Sequence, residues 1–73
     1  MINGDFEFII GSPVDREKLI CEIYYKNEII AEISQETDEL MLEIYPPQTN
    51  PWWIIPFAQF QKALEDAKKH LLV

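Results

Sequence analysis

The sequence predicts an α+β fold: an antiparallel four-stranded β-meander packed on one face by a single C-terminal α-helix. Three observations carry this. Apolar and polar residues alternate in four runs between residues 5 and 45, the two-residue period of half-buried strands. Three prolines crowd into residues 46–51, where they exclude helix and central strand alike. From Phe57 onward the apolar spacing lengthens to steps of three and four, the stripe of an amphipathic helix.

The first run, residues 5–10, places Phe6, Phe8 and Ile10 on one side and Glu7 and Ile9 on the other. Gly11-Ser12-Pro13 ends it, and a polar connection follows to Lys18, in which Asp15 can cap a single turn. Residues 19–25 form the second strand, with Leu19, Cys21, Ile23 and Tyr25 inward and Ile20, Glu22 and Tyr24 outward. A three-residue connection, Lys26-Asn27-Glu28, leads to the third strand at 29–34, with Ile29, Ala31 and Ile33 inward. After a turn centred on Glu36-Thr37 comes the fourth strand at 39–45, with Leu40, Leu42 and Ile44 inward. These connections pair Tyr25 with Ile29, Ile23 with Ala31 and Cys21 with Ile33. They also pair Ile33 with Leu40, Ala31 with Leu42 and Ile29 with Ile44, so apolar faces apolar throughout. Residues 52–55 can add a short fifth extended segment. Pro56 then opens a helix over about 56–72, whose core stripe is Phe57, Phe60, Leu64, Ala67 and Leu71.

The 73 residues suffice for one domain spanning 1–73. Acidic residues outnumber basic ones 13 to 6, a net charge of −7, which argues against direct nucleic-acid binding and against a polybasic membrane anchor. The lone Cys21 allows no intrachain disulfide. Residues 1–5 lack the pattern of a secretory signal, and no apolar stretch is long enough to span a bilayer, so a cytoplasmic chain is expected.

Residue types that carry chemistry are sparse. One cysteine and one histidine, His70, cannot build a structural zinc site or a nucleophile with its base, and only Gly4 and Gly11 are available for a phosphate-binding loop. The expectation is a protein that is not an enzyme and that needs no cofactor or metal.

The outward sheet face is more informative. Each strand places a glutamate there (Glu7, Glu22, Glu32, Glu43), beside Tyr24, Tyr45 and Met41, and the register sets Glu22 opposite Glu32. Like charges directly opposite destabilise a sheet, so a sequence selected for stability alone would avoid them. Residues 1–55 hold 11 acids and 3 bases, a net −8, whereas residues 56–73 carry +1. Such a field steers a cationic partner, and carboxylates can occupy places that substrate phosphates take on a nucleic-acid enzyme. The expected binding residues are therefore Glu7, Glu22, Tyr24, Glu32, Glu43 and Tyr45. Glu36, Asp38, Glu39 and Trp53 are secondary candidates. Charge reversal of Glu22 and Glu32 to lysine is expected to weaken binding and leave the fold intact.

The run from Glu22 to Glu36, Glu-Ile-Tyr-Tyr-Lys-Asn-Glu-Ile-Ile-Ala-Glu-Ile-Ser-Gln-Glu, resembles the central hairpin of small immunity proteins from bacterial contact-dependent growth inhibition and related polymorphic-toxin systems. The segment from Ile55 to Leu71 resembles their C-terminal helix, and the resemblance covers about residues 5–72. It implies a non-catalytic protein that binds and neutralises one cognate toxin domain, often a nuclease. An antitoxin of a two-gene toxin–antitoxin module and a protein-interaction adaptor subunit are the alternatives.

Overall fold

The computed structural model describes residues 2–72, with side chains from residue 4; Met1 and Val73, the ends of the expected domain, lie outside the described residues. The chain runs β1 (Ile2–Asn3), β2 (Phe6–Gly11), β3 (Ile20–Tyr25), β4 (Glu28–Ser34), β5 (Met41–Ile44) and α1 (Phe57–Leu71). The strands lie in sequence order in one antiparallel sheet. The four expected strands are β2 to β5.

A fifth strand is present, but at the N-terminus rather than at 52–55. Those residues pass from bends into irregular chain that joins the proline-rich segment to the helix. Asn3 pairs with Phe6, so Gly4-Asp5 is a two-residue hairpin turn. Gly4 occupies its first position at φ +62°, where a missing Cβ removes the steric penalty.

Phe6, Phe8, Cys21, Ile23, Tyr25, Ile30, Ala31 and Ile33 form the buried sheet face, with Ala63, Ala67 and Leu71 of α1 upon it. Phe6 is tilted against Tyr25 at 4.8 Å between ring centroids and stacked on Phe60 at 6.2 Å. The helix packs on β2 and β3. A helix about 10 Å across covers roughly two strands spaced about 4.8 Å apart. Leu42 and Ile44 of β5, expected inward, therefore remain 42% and 58% exposed, and Leu40 is half-buried. Phe57, expected in the helical core stripe, is exposed at the first helical position, and Ala63 takes a core place instead.

Two registers differ from expectation. The β3–β4 turn contains two residues, Lys26 and Asn27, both at positive φ (49° and 68°). Tyr25 consequently pairs with Glu28 and Tyr24 with Ile29, and a bulge between Ile23 and Tyr24 restores Ile23↔Ala31, Glu22↔Glu32 and Cys21↔Ile33. The bulge turns Ile30 into the core and leaves Ile29 opposite Tyr24 on the other face. Along β4–β5 the pairs are Ala31↔Ile44, Glu32↔Glu43, Ile33↔Leu42 and Ser34↔Met41, two residues removed from the expected pairing but with the same faces matched. The longer 35–40 connection accounts for the shift.

The turn yields a prediction. A β-branched side chain is poorly tolerated at positive φ, so Asn27→Val should lower the unfolding free energy by about 1–2 kcal/mol, while Asn27→Gly should change it by only a few tenths. Urea denaturation of the two variants measures the difference; equal midpoints would contradict the turn geometry.

Candidate functional site: the acidic sheet face

The face away from α1 is organised as rows across the strands. One row runs Ile9, Glu22, Glu32, Glu43 through β2, β3, β4 and β5; an adjacent row runs Glu7, Tyr24, Ile29. Three carboxylates thus sit side by side, one more than the sequence pairing placed together. Their mutual repulsion is relieved by Arg16, whose Nη2 donates to Glu32 Oε2 at 2.8 Å and to Glu43 Oε1 at 3.0 Å. Tyr45 Oη donates to the other oxygen of Glu32 at 3.1 Å, and Tyr24 Oη to Glu22 at 3.4 Å.

Arg16 arrives from the 12–18 connection. This is a turn closed by the Arg16 N–H on the Pro13 carbonyl, rather than a capped helical turn at Asp15. Its far end is fixed by Glu36, whose carboxylate accepts the backbone N–H groups of Glu17 and Lys18, both at 2.9 Å. Those two donors stabilise the charged form and hold the Glu36 carboxyl below its usual range. Ile20 and Ser34, on the same sheet face, are buried, and Leu19, expected in the core, is exposed just outside β3. The face expected to lie open is thus partly closed at one end.

This arrangement divides the expected binding residues. Glu7 and Glu43 are exposed, and Glu22, Tyr24 and Tyr45 are half-buried at the surface. Glu32 is only 7% exposed and has both oxygens engaged, so its carboxylate serves the interior of the row. The reversal Glu32→Lys would set an ammonium against Arg16, and the expectation that a Glu22/Glu32 double reversal leaves the fold intact is withdrawn. Glu36 anchors the connection, while Asp38 and Glu39 are exposed in the 35–40 turn, where Thr37 Oγ1 donates to the Glu39 carbonyl. Trp53 is a packing residue: its Nε1 donates to the Tyr45 carbonyl at 2.6 Å and its ring meets Tyr25 edge-on. The exposed member of the pair is Trp52, 64% accessible.

Burial raises the Tyr24 and Tyr45 phenols above their ordinary range, with the carboxylates of Glu22 and Glu32 adding to it. Both tyrosines are donors at neutral pH. A groove of about 520 Å³ lies at the other side of the β3–β4 turn, lined by Tyr25, Glu28, Trp52 and Trp53 among others. It contains a single carboxylate, Glu28, which already accepts the Gln48 backbone N–H. Paired acids are therefore not gathered in that groove. Among the described residues no three or more His, Cys, Asp or Glu side chains form a metal-binding group.

Cys21 is fully buried, and desolvation pushes its thiol up to about 11 from an ordinary 9.0. A raised folded-state value means that the thiol favours folding below about pH 9 and that this contribution is lost as pH rises from 9 toward 11. Native chain at pH 8 should react with a disulfide reagent only as fast as it unfolds, and urea should release the full thiol. Immediate labelling in native buffer would contradict its burial.

No helix among the described residues is long and apolar enough to cross a membrane. The chain matches no protein-family model, no curated protein and no solved structure.

Proposed function

We propose that this chain is a non-catalytic, cytoplasmic immunity protein that binds a basic toxin domain, most simply a nuclease, through its acidic sheet face. The observation that carries the proposal is the glutamate row. A sheet that aligns Glu22, Glu32 and Glu43 across three strands, with Arg16 on two of them, keeps the row net negative where stability alone favours no like-charge neighbours. Arg16 on Glu32 and Glu43, a guanidinium held by two carboxylates, is an internal instance of the contact the proposal requires. Among the described residues neither Glu7 nor Glu22 forms a salt bridge, and Glu22 accepts only the Tyr24 hydroxyl, so both can take a cation of the partner. Tyr24 and the exposed Ile9 and Met41 add the aromatic and apolar surface that an interface core uses.

The test is affinity capture of the tagged chain from its source cells, followed by expression of the captured partner alone and together with this chain. The proposal requires a stoichiometric basic polypeptide that arrests growth alone and is harmless in combination. A partner that is acidic, or whose expression alone is innocuous, would overturn it.

A further inference from the structure

We propose that β5 is a docking edge to which the cationic partner adds a β-strand; this rests on the partner being basic, as in the proposed function. β5 is the last strand of the sheet, and all four of its residues are exposed. The Tyr45 N–H donates to the Ile30 carbonyl at 2.8 Å, immediately beyond the Ala31↔Ile44 pair. Backbone groups in an antiparallel ladder point alternately toward and away from the neighbouring strand. The N–H and C=O of Glu43 and Met41 therefore face β4, and those of Leu42 and Ile44 face outward.

The side chains on this edge specify the guest. On the helix side Leu42 lines a shallow groove of about 180 Å³ with Ile33, Leu40, Leu64, Glu65 and Lys68, and Ile44 is exposed on the same side of β5. On the other side stand Met41 and the half-exposed Glu43. Proteins commonly guard such an edge with lysine; the four-residue β5 has none, and its one charge is Glu43. A strand that alternates apolar and basic residues satisfies both sides, placing its apolar side chains on Leu42 and Ile44 and a cation against Glu43 Oε2, the oxygen that Arg16 does not bond. A second copy of the chain fits less well. The register that sets Leu42 against Ile44 of the copy sets Glu43 against Glu43, between molecules each of net charge −7.

The experiment follows backbone amides of the full-length ¹⁵N-labelled chain by NMR during titration with the capped hexapeptide Lys-Val-Lys-Val-Lys-Val, and separately with Glu-Val-Glu-Val-Glu-Val. Saturation with the lysine peptide should slow hydrogen exchange at Leu42 and Ile44 by about tenfold or more, as new hydrogen bonds protect these amides, and the glutamate peptide should have no effect. In chain made by total synthesis, N-methylation at Leu42 removes one outward donor and should weaken the peptide roughly three- to tenfold, the value of one hydrogen bond. Shifts confined to Glu7, Glu22 and Tyr24, with Leu42 and Ile44 unprotected, would overturn the edge while leaving cationic docking on the face intact. Protection that grows with protein concentration and without peptide would assign the edge to a second copy and overturn the proposal. Protection by the lysine peptide, in a chain whose captured partner proves acidic, would overturn the proposed function and with it the assignment of the edge to that partner.

Discussion

Phe8→Ala should leave the chain largely unfolded at 25 °C. Phe8 is 1% exposed, lies in the middle of β2 opposite Ile23, and sits in the core cluster between sheet and helix. Truncating a buried phenylalanine costs about 3–5 kcal/mol, and a domain of this length has about 3–5 kcal/mol in total. The neighbouring residue is an internal control. Ile9 projects from the opposite face and is 41% exposed, so Ile9→Ala should cost no more than about 1 kcal/mol. Far-ultraviolet circular dichroism with urea titration separates the two. A cooperative Phe8→Ala transition near the parent midpoint would mean that the core lies elsewhere.

The largest functional effect is expected from Glu7→Lys combined with Glu22→Lys. Both residues are on the acidic face, Glu7 exposed and Glu22 at the surface, and neither is bonded to Arg16. The double change moves the net charge of the chain from −7 to −3 and puts two cations where the partner's are expected. Electrostatic steering is worth about 10- to 1,000-fold in association rate, so toxin neutralisation should fall by at least about tenfold at low salt. Thermal unfolding should stay close to that of the parent, because no buried ion pair is touched. Full protection by a folded double variant would remove the sheet face from the interface and turn attention to the acids of the 35–40 turn.

Most of the architecture was legible because side-chain alternation fixes the face of each strand regardless of register. Period alone places Cys21, Ile23 and Ala31 in the core, and the Glu22–Glu32 pair follows from it. What escaped depends on single residues of connecting chain. The number of residues in the Lys26-Asn27 turn decides whether Ile29 or Ile30 is buried, and two positive φ values settle it in a way that alternation cannot reveal. The short β1 hairpin had a signal, Gly4-Asp5 between Asn3 and Phe6, but a two-residue strand carries no period. The breadth of sheet that one helix covers is a matter of tertiary geometry, and it leaves Leu42 and Ile44 in the open.

The binding face was legible in its glutamates and not in its counter-ion. Arg16 lies 16 residues from Glu32 and 27 from Glu43, in a connection without regular pattern. Only the folded sheet shows that this single arginine buttons the connection onto the glutamate row and withdraws Glu32 from the surface. The two tryptophans look alike in sequence; the Tyr45 carbonyl claims Trp53 and leaves Trp52 outside.

The central claim is that charge leads this chain to its partner, and the salt dependence of association tests it most directly. Stopped-flow mixing with the captured basic domain, from low ionic strength to about 1 M where the Debye length falls to about 3 Å, measures the association rate across the range in which surface charges are screened. The account predicts a fall of at least about tenfold in association rate, with a much smaller change in dissociation rate. An association rate that is flat across that range would contradict it and assign the docking to apolar contact alone.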